Sequence, residues 1–292
     1  MFNSVEETVN KLSDQDYIAD EGLATALFLS LKMGKPLFLE GEPGVGKTEI
    51  AKVLAQLFET ELIRLQCYEG LDTNQALYEW NYPKQLLKMQ AAKQSNGSEE
   101  TFDVFSEAFL LKRPLLHAID PNRSKSPILL IDELDRSDEE FESFLLELLS
   151  DFQITIPELG TIKAEHRPMV IITSNRTREI HDALKRRCIY HWIDYPSRQK
   201  EIDIVKTKRP EISDQLAAQV VDFLQEVRKE EFYKLPGVAE TLDWAEALGH
   251  LNATEITPKM IEKTLGIILK YQDDVDKLSG QGIEVIMERI GG

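Results

Sequence analysis

The chain has 292 residues, which is enough for a sizeable hydrophobic core and favours two domains over one. Hydrophobic residues make up 42% of the sequence and charged residues 29%, the balance of a soluble protein. The formal net charge of −17 argues against general affinity for nucleic acid, because phosphate backbones attract clustered lysine and arginine. No apolar run has the length of a membrane span, and the acidic N-terminus does not resemble a secretory signal.

The sequence contains two cysteines, Cys67 and Cys188, without C-x-x-C spacing. We therefore expect neither a structural disulfide nor a zinc site, and a reducing cytoplasm fits this cysteine usage. Both cysteines lie within or beside apolar runs, which predicts that they are buried as small hydrophobic side chains.

Five short apolar runs, separated by helical patterns, predict the buried strands of a parallel sheet covered by helices on both faces. They lie at residues 36–39, 62–66, 128–131, 170–173 and 189–193. From about residue 199 onward the strand signal ends and the pattern is helical. The sequence therefore predicts an α/β domain over residues 1–197 and a smaller all-helical domain over residues 198–292.

The first predicted strand is followed by the pattern G-x-x-x-x-G-K-T, which is typical of a loop that binds a phosphate chain. Its glycines let backbone N–H groups point at phosphate oxygens, and a helix expected to begin near Lys47 adds its positive end. Lys47 is expected to contact the β- and γ-phosphates, and Thr48 to offer its hydroxyl to Mg²⁺. The candidate nucleotide-binding residues are Gly41, Glu42, Pro43, Gly44, Val45, Gly46, Lys47, Thr48 and Glu49.

Two later segments interrupt the alternation of strands and helices. Residues 78–105 contain a turn signal at residues 95–98, and residues 152–168 have the alternating pattern and central turn of a β-hairpin. Each segment is compatible with a functional insertion and with inert surface decoration.

The third predicted strand ends in two carboxylates, Asp132 and Glu133. Asp132 is expected beside Thr48, where it would organise Mg²⁺ directly or through water. Glu133 is then placed to polarise an attacking water, which favours hydrolysis over transfer to an acceptor. The alternative is that Glu133 only begins the acidic helix that follows. Apolar residues recur in that helix at helical spacing and predict a core-facing stripe of Phe141, Phe144, Leu145, Leu148, Leu149 and Phe152.

Polar residues end the fourth predicted strand, and two arginines precede the fifth. Asn175 follows the fourth strand at the sheet edge where ligands bind, so we expect it to contact the γ-phosphate and the water. A residue that merely ends a strand would give the same pattern. Arg186 and Arg187 stand side by side, which is usually solvated charge. A planar, permanently charged donor is also what phosphoryl transfer requires, and a neighbouring subunit can supply it.

The set G-E-P-G-V-G-K-T, I-L-L-I-D-E, T-S-N and A-L-K-R-R-C, in this order, resembles the AAA+ ATPases. The two interrupting segments are similar to the helix-2 insert and the pre-sensor-1 hairpin of MoxR-type proteins. Residues 62–87 and 184–196 resemble the MoxR branch that contains the carbon-monoxide-dehydrogenase accessory ATPases. The resemblance covers nearly the whole chain, strongly to about residue 196 and more loosely beyond.

The resemblance implies a P-loop sheet domain, a helical lid and a homo-oligomeric ring, expected to be a hexamer, with ATP between subunits. The implied metal ligands are Thr48 and Asp132. The implied catalytic acid, sensor 1, arginine finger and companion arginine are Glu133, Asn175, Arg187 and Arg186. Such proteins remodel other proteins and help metalloenzymes mature, often with a partner that carries a von Willebrand factor A domain.

The lid departs from the family pattern. Many MoxR-type proteins present a sensor-2 arginine in a G-x-S-P-R-like segment, whereas the stretch L-P-G-V-A-E-T-L-D-W places Thr241 near that position. Lys234 is close but not aligned. No sensor-2 residue is assigned, and the lid is expected to sense nucleotide weakly or through another residue.

Three functions are compatible with these patterns. The first is an ATP-hydrolysing remodeller, and the second is a nucleotide-gated binding protein in which ATP mainly organises a ring and hydrolysis is slow. The third is an ATPase acting on DNA, because ring helicases share such insertions, which here contain Lys84, Lys88, Lys93 and Lys163. The acidic chain as a whole argues against the third function.

Overall fold

The computed structural model describes residues 2–94 and 103–291. The turn predicted at residues 95–98 lies outside the described residues. The strands in the described ranges are β1 (Leu37–Gly41), β2 (Leu62–Gln66), β3 (Tyr78–Trp80), β4 (Leu110–Lys112), β5 (Ile128–Asp132), β6 (Gln153–Ile156), β7 (Gly160–Lys163), β8 (Met169–Ser174) and β9 (Ile189–Ile193).

The helices of the same residues are α1 (Val5–Ser13), α2 (Glu21–Met33), α3 (Glu49–Leu57), α4 (Thr73–Leu77), α5 (Tyr82–Gln94), α6 (Pro114–Ala118), α7 (Glu139–Asp151), α8 (Asp182–Lys185), α9 (Arg198–Lys208), α10 (Asp214–Val227), α11 (Val238–His250), α12 (Pro258–Ile268), α13 (Gln272–Leu278) and α14 (Gln281–Gly291). Short 3-10 helices lie at Glu107–Phe109 and Leu134–Arg136. Within the described ranges, no helix is both long and apolar enough to cross a membrane.

The main sheet has five strands in the order β2-β5-β8-β1-β9. The pairs β2–β5, β5–β8 and β1–β8 are parallel, which confirms the predicted P-loop type of α/β sheet. β1 and β5 are buried along their whole length, as expected for central strands covered on both faces. All five predicted strands are present, and the largest difference is in β1, which extends to Gly41.

Sequence patterns missed one small antiparallel pair, formed by β3 and β4. Each of these strands has three residues, which is too short to show an alternation of polar and apolar side chains. β3 forms the start of the predicted helix-2 insert and β4 follows the insert, and the buried Trp80 packs against Phe105, with ring centroids 5.3 Å apart. The second predicted segment contains the antiparallel pair β6–β7, in which Ile156 lies opposite Gly160.

The described residues form two compact units, each with its own core. The first comprises Thr25–Glu40 and Ala51–His191, and the second comprises Phe2–Ala24, Gly41–Ile50 and the residues from Trp192 onward. The C-terminal helices α9 to α14 confirm the predicted helical region. The domain boundary at residue 197 stays a prediction.

The predicted apolar stripe of α7 is part of the core of the first unit, with Phe144 partly exposed and the other five residues buried. Cys67 and Cys188 belong to the same core, are not disulfide-bonded and confirm the prediction of buried thiols. Burial raises the pKa of each thiol to about 12. In the second unit, Trp244 packs against Phe223, with ring centroids 5.4 Å apart.

Candidate functional site

The carboxyl ends of three neighbouring strands meet at one edge of the sheet in the first unit. Leu39 of β1 lies opposite Thr173 of β8, and Ile131 of β5 lies opposite Ile172. Asp132 therefore ends β5 beside Thr173, and Glu40 lies opposite Ser174. Ligands of open parallel sheets bind outside the carboxyl ends of the strands. The predicted acids Asp132 and Glu133 lie at this end of the sheet in the first unit.

Asp132 and Glu133 are fixed by one threonine. The Thr173 hydroxyl donates to Asp132 Oδ1 over 2.6 Å and accepts from the Glu133 backbone N–H over 2.9 Å. Asp132 is 2% exposed and Thr173 is 1% exposed, so these bonds lie away from solvent. Thr173 belongs to the predicted polar triplet, but no role was foreseen for it from the sequence.

Glu133 has a backbone conformation that non-glycine residues rarely adopt, with φ = 54° and ψ = 52°. Such strain costs on the order of 1–3 kcal/mol and is found most often at functional sites. The residue precedes the 3-10 helix at Leu134–Arg136, whereas α7 begins at Glu139 with Asp138 as its N-cap. Glu133 therefore does not begin the acidic helix, and its catalytic role stays a prediction.

Two polar residues of β2 contact the acids, and sequence reasoning assigned neither of them a role. Arg64 donates to Asp132 Oδ2 from Nε over 2.9 Å and from Nη2 over 2.6 Å. Gln66 Nε2 donates to Glu133 Oε2 over 3.0 Å. The signal was available, because both are polar residues at alternate positions of an otherwise apolar run and face the same side of the strand.

The donor set fits Mg²⁺ better than a metal held by protein ligands alone. The described residues contain no group of three or more His, Cys, Asp or Glu side chains that could hold an ion. Mg²⁺ usually takes one or two protein oxygens and completes its octahedron with phosphates and water. The buried Asp132 carboxylate has the chemistry of such a ligand, and Arg64 and Thr173 orient it.

Asn175 is positioned through its backbone by Asp135. The Asp135 carboxylate accepts from the Asn175 N–H over 3.1 Å, from the Thr177 N–H over 2.9 Å and from the Thr177 hydroxyl over 2.6 Å. Asp135 is buried, and it lies in the segment that follows Glu133. The turn that carries Asn175 is thus bonded to the segment that follows the two acids. The structure therefore brings the predicted residues Asp132, Glu133 and Asn175 to one edge of the sheet.

Glu40, the residue before the phosphate loop, is a buried carboxylate that the sequence reasoning did not single out. It accepts from the Ser174 hydroxyl over 3.2 Å and from the Tyr190 hydroxyl over 2.9 Å, and Lys185 Nζ lies 3.8 Å from it. Burial and the bond to Glu40 raise the pKa of Tyr190 to about 12, so Tyr190 remains a hydrogen-bond donor at neutral pH.

The predicted phosphate loop lies in the second unit. Gly44 has φ = 78°, a conformation in which a side chain would be strained. Lys47 is buried, and its ammonium donates to the carbonyls of Gly41 over 2.8 Å and Glu42 over 2.6 Å. The helix expected near Lys47 begins at Glu49, because Lys47 and Thr48 still belong to the turn.

The start of α11 contacts this loop directly. The Ala239 N–H donates to the Gly44 carbonyl over 3.2 Å. A Cβ at Gly237 would lie 2.7 Å from the Pro43 carbonyl oxygen, so only glycine fits there. The second unit therefore joins the loop to a helix of the predicted lid through backbone atoms.

Thr241 occupies the position near which the resemblance places a sensor-2 arginine, and it is buried inside the helical unit. Its hydroxyl donates to Glu201 Oε1 over 2.6 Å, and Arg228 forms a bidentate ion pair with the same carboxylate. Lys234 is exposed, and its backbone N–H donates to Asp274. Thr241 is therefore engaged inside the helical unit, and the expectation that the lid senses nucleotide weakly or through another residue stays a prediction.

The arginine doublet lies at the opposite edge of the sheet from Asp132. Ile189, the first residue of β9, donates its N–H to the carbonyl of Pro36, which precedes β1. Arg187 Nη1 donates to the Leu146 carbonyl over 2.6 Å and to the Ser150 hydroxyl over 2.7 Å, while the side chain of Arg186 is 82% exposed. The structure therefore does not bring the doublet to the acids of its own chain.

One stability prediction follows from the bonds of Thr173. Thr173→Val keeps the side-chain shape but leaves the Glu133 N–H without its acceptor and removes the donor to Asp132. We expect a loss of about 1–3 kcal/mol in the free energy of unfolding, measured by urea titration. Thr155→Val, at an exposed threonine of β6, is the control and should change stability little. Equal effects of the two variants would contradict the role of Thr173.

Comparisons with known proteins agree with this geometry. Residues 36–188, a little over half of the chain, match the family described as AAA domain (dynein-related subfamily). An uncharacterized protein of Staphylococcus epidermidis is 28% identical over 229 residues, which cover 76% of this chain and 77% of the relative. An uncharacterized protein of Staphylococcus aureus is 27% identical over 212 residues, which cover 70% and 72%.

A solved structure of a RuvB variant from Thermotoga maritima is similar in fold, with a TM-score of 0.51 and 19% sequence identity. The structural match covers 94% of this chain and 73% of the RuvB chain. At this identity the similarity concerns the fold alone. The family match, together with the parallel sheet and its strand-end acids, shows that the chain belongs to the AAA domain family, in its dynein-related subfamily.

Proposed function

We propose that this protein binds and hydrolyses ATP with Mg²⁺ in a homo-oligomeric ring. The observation that carries the proposal is the pair Asp132 and Glu133, fixed by Thr173 at the carboxyl edge of a parallel sheet. A second carboxylate beside the metal-binding one is what hydrolysis requires, whereas phosphate transfer would need an acceptor site. Membership of the AAA domain family supports nucleotide use in general.

The residues of the chain have separate roles in this proposal. Lys47 and the loop N–H groups bind the β- and γ-phosphates, and Thr48 and Asp132 supply oxygens to Mg²⁺. Mg²⁺, when bound, neutralises charge that develops on the phosphate oxygens. Glu133 orients a water and accepts its proton while the water oxygen bonds to the γ-phosphorus.

The bond between the γ-phosphorus and the bridging oxygen breaks in the same step, and the products are ADP and inorganic phosphate. Asn175, held by Asp135, contacts the γ-phosphate and the attacking water in this proposal. The Arg64–Asp132 contact holds the carboxylate in one orientation.

The position of the arginine doublet supports a ring. Arg187 lies at the amino edge of the sheet and Asp132 at the carboxyl edge, about four strand residues or roughly 13 Å away along the strands. An arginine at that edge is better placed to reach the nucleotide of a neighbouring copy than that of its own chain. We propose Arg187 as the arginine finger, Arg186 as its companion, and a hexamer as the assembly.

The client follows from the sequence resemblance alone. We propose a MoxR-type remodeller that acts with a von Willebrand factor A-domain protein on a metalloenzyme in the cytoplasm. The alternative of a nucleotide-gated ring with slow hydrolysis is favoured by one observation, the burial of Thr241 in the helical unit. The likeness to RuvB concerns the fold only and does not support action on DNA.

The first test is hydrolysis of ATP by the purified protein. We expect phosphate release to depend on Mg²⁺ and to stop when the metal is chelated. In the proposal, Asp132 and Thr48 act on the phosphates of ATP only through the bound ion. ATP-dependent assembly, followed by light scattering, should accompany it. Assembly without turnover under these conditions would favour the nucleotide-gated alternative, and the absence of both would contradict the proposal.

A further inference from the structure

A cavity of about 340 Å³ in the first unit is lined by four cations: Lys35, Arg167, Arg186 and Arg187. Its other lining residues are small or apolar, and no acidic side chain is among the described residues that line it. In a chain with a net charge of −17, a cavity with four cations and no lining acid is suited to an anionic ligand. The predicted function uses only two of these four residues.

The topology of the sheet explains why the cations meet. Arg167 precedes β8, Lys35 precedes β1, and the arginine doublet precedes β9. These three strands are neighbours in the sheet, so their starting points span about 10 Å. The four residues come from three distant parts of the sequence, and no linear motif contains them all.

Two of the arginines are held by the same end of α7. Arg187 donates to the Leu146 carbonyl and to Ser150, and the Arg167 guanidinium lies 5.6 Å from the centroid of the Phe152 ring. Leu149, Ser150 and Phe152 line the cavity as well. Contacts of this kind hold a guanidinium in place before a ligand arrives, which lowers the ordering cost of binding.

Within the two described ranges, neither Lys35 nor Arg167 forms an ion pair. Among the described residues Arg187 forms its hydrogen bonds through Nη1, and its Nε and Nη2 groups take no part in them. A polyphosphate presents several oxygens to such donors, and arginine recognises phosphate through two parallel N–H bonds. A carboxylate of one side chain would satisfy fewer of these four cations.

We propose that Arg167 and Lys35 act with the arginine doublet to bind the phosphate chain of ATP held by a second copy of this chain. This inference rests on the proposed ATPase function and extends it, because it adds two residues to the contribution that each subunit makes to its neighbour. Arg167 contacts the transferring γ-phosphate beside Arg187, and Lys35 adds positive charge at the same cavity.

The test uses the full-length protein and mixed assemblies. Arg167→Ala is expected to lower the turnover of ATP at saturation by at least about tenfold, a smaller loss than that of a principal arginine finger. ATP binding by isolated subunits should not change. Lys125→Ala is the control for positive charge at this edge: Lys125 lies before β5 and lines a neighbouring cavity that shares Lys35 and Arg167, but it does not line the cavity of the arginine doublet. It should retain wild-type turnover.

Mixing gives a readout that a merely structural role would not produce. Arg167→Ala subunits mixed with Glu133→Gln subunits should regain activity, because one subunit supplies the acid and its neighbour supplies the cations. Arg167→Lys should retain more turnover than Arg167→Ala, and it serves as the second variant if the alanine variant is unstable.

Two results would overturn the inference. The first is that Arg167→Ala hydrolyses ATP at the wild-type rate. The second is a loss that mixing with Glu133→Gln does not restore under conditions in which Arg187→Ala is restored. If the wild-type protein itself does not hydrolyse ATP, the proposed function fails first, and the two failures are therefore distinguishable.

Discussion

Glu133→Gln is expected to bind ATP as the wild-type protein does and to hydrolyse it at least about tenfold more slowly. The amide has nearly the shape of the carboxylate, and position 133 keeps the backbone conformation that the Thr173 bond stabilises. The glutamine amide, however, cannot accept the proton of the attacking water. The loss should therefore appear in the maximal rate and not in nucleotide affinity.

The measurement is phosphate release at saturating ATP, with binding followed by a fluorescent nucleotide. Glu140→Gln is the matched control, because Glu140 is an exposed acid in the first turn of α7. Unchanged turnover of Glu133→Gln would remove Glu133 from the catalytic role. A loss of binding in parallel with turnover would instead indicate damage to the sheet edge.

Arg187→Ala is expected to retain ATP binding and to lose at least about a hundredfold in turnover, given the weight of an arginine finger in phosphoryl transfer. Its guanidinium is held through Nη1 by the Leu146 carbonyl and Ser150, so Nε and Nη2 are not used by these two bonds. Arg186→Ala should lose less, because the exposed Arg186 is not anchored in this way. Arg187→Lys should not restore full activity, because an ammonium lacks the planar fork.

Mixed assemblies decide whether Arg187 acts on a neighbour. In a random equal mixture of Arg187→Ala and Glu133→Gln subunits, about one interface in four combines an intact acid with an intact arginine. Activity should rise from near zero toward that fraction of the wild-type value. If no mixing ratio produces activity, Arg187 does not act in trans.

The sheet could be predicted because its central strands β1 and β5 are fully buried and contain uninterrupted apolar runs, as in 128–131. The small pair β3–β4 could not, since strands of three residues carry no period, and their pairing joins residues about thirty positions apart. The start of α3 at Glu49 differs from the expected start near Lys47, because the turn of the phosphate loop continues through Thr48.

The residues of the candidate site were likewise predictable only in part. Asp132, Glu133 and Asn175 follow strands, so their meeting at one edge follows from the parallel order of the sheet. The partners that orient them, such as Arg64 and Asp135, are ordinary charged residues in sequence. Only the register of β2 against β5 and the turn after β8 show what they contact. The cavity with Arg167 was invisible to sequence reasoning because its residues come from three strand starts.

The helix α7 has a mechanical consequence for the proposed ring. It follows the segment of Glu133, and in its C-terminal half the Leu146 carbonyl and the Ser150 hydroxyl hold Arg187. Its 13 residues form a rod of about 20 Å, stiffened by its buried apolar stripe. With the proposed roles, this rod connects the acid that acts on one nucleotide to the arginine that acts on the next. A shift of Glu133 after phosphate release would move Arg187 as well, so that successive subunits would fire in turn and not independently.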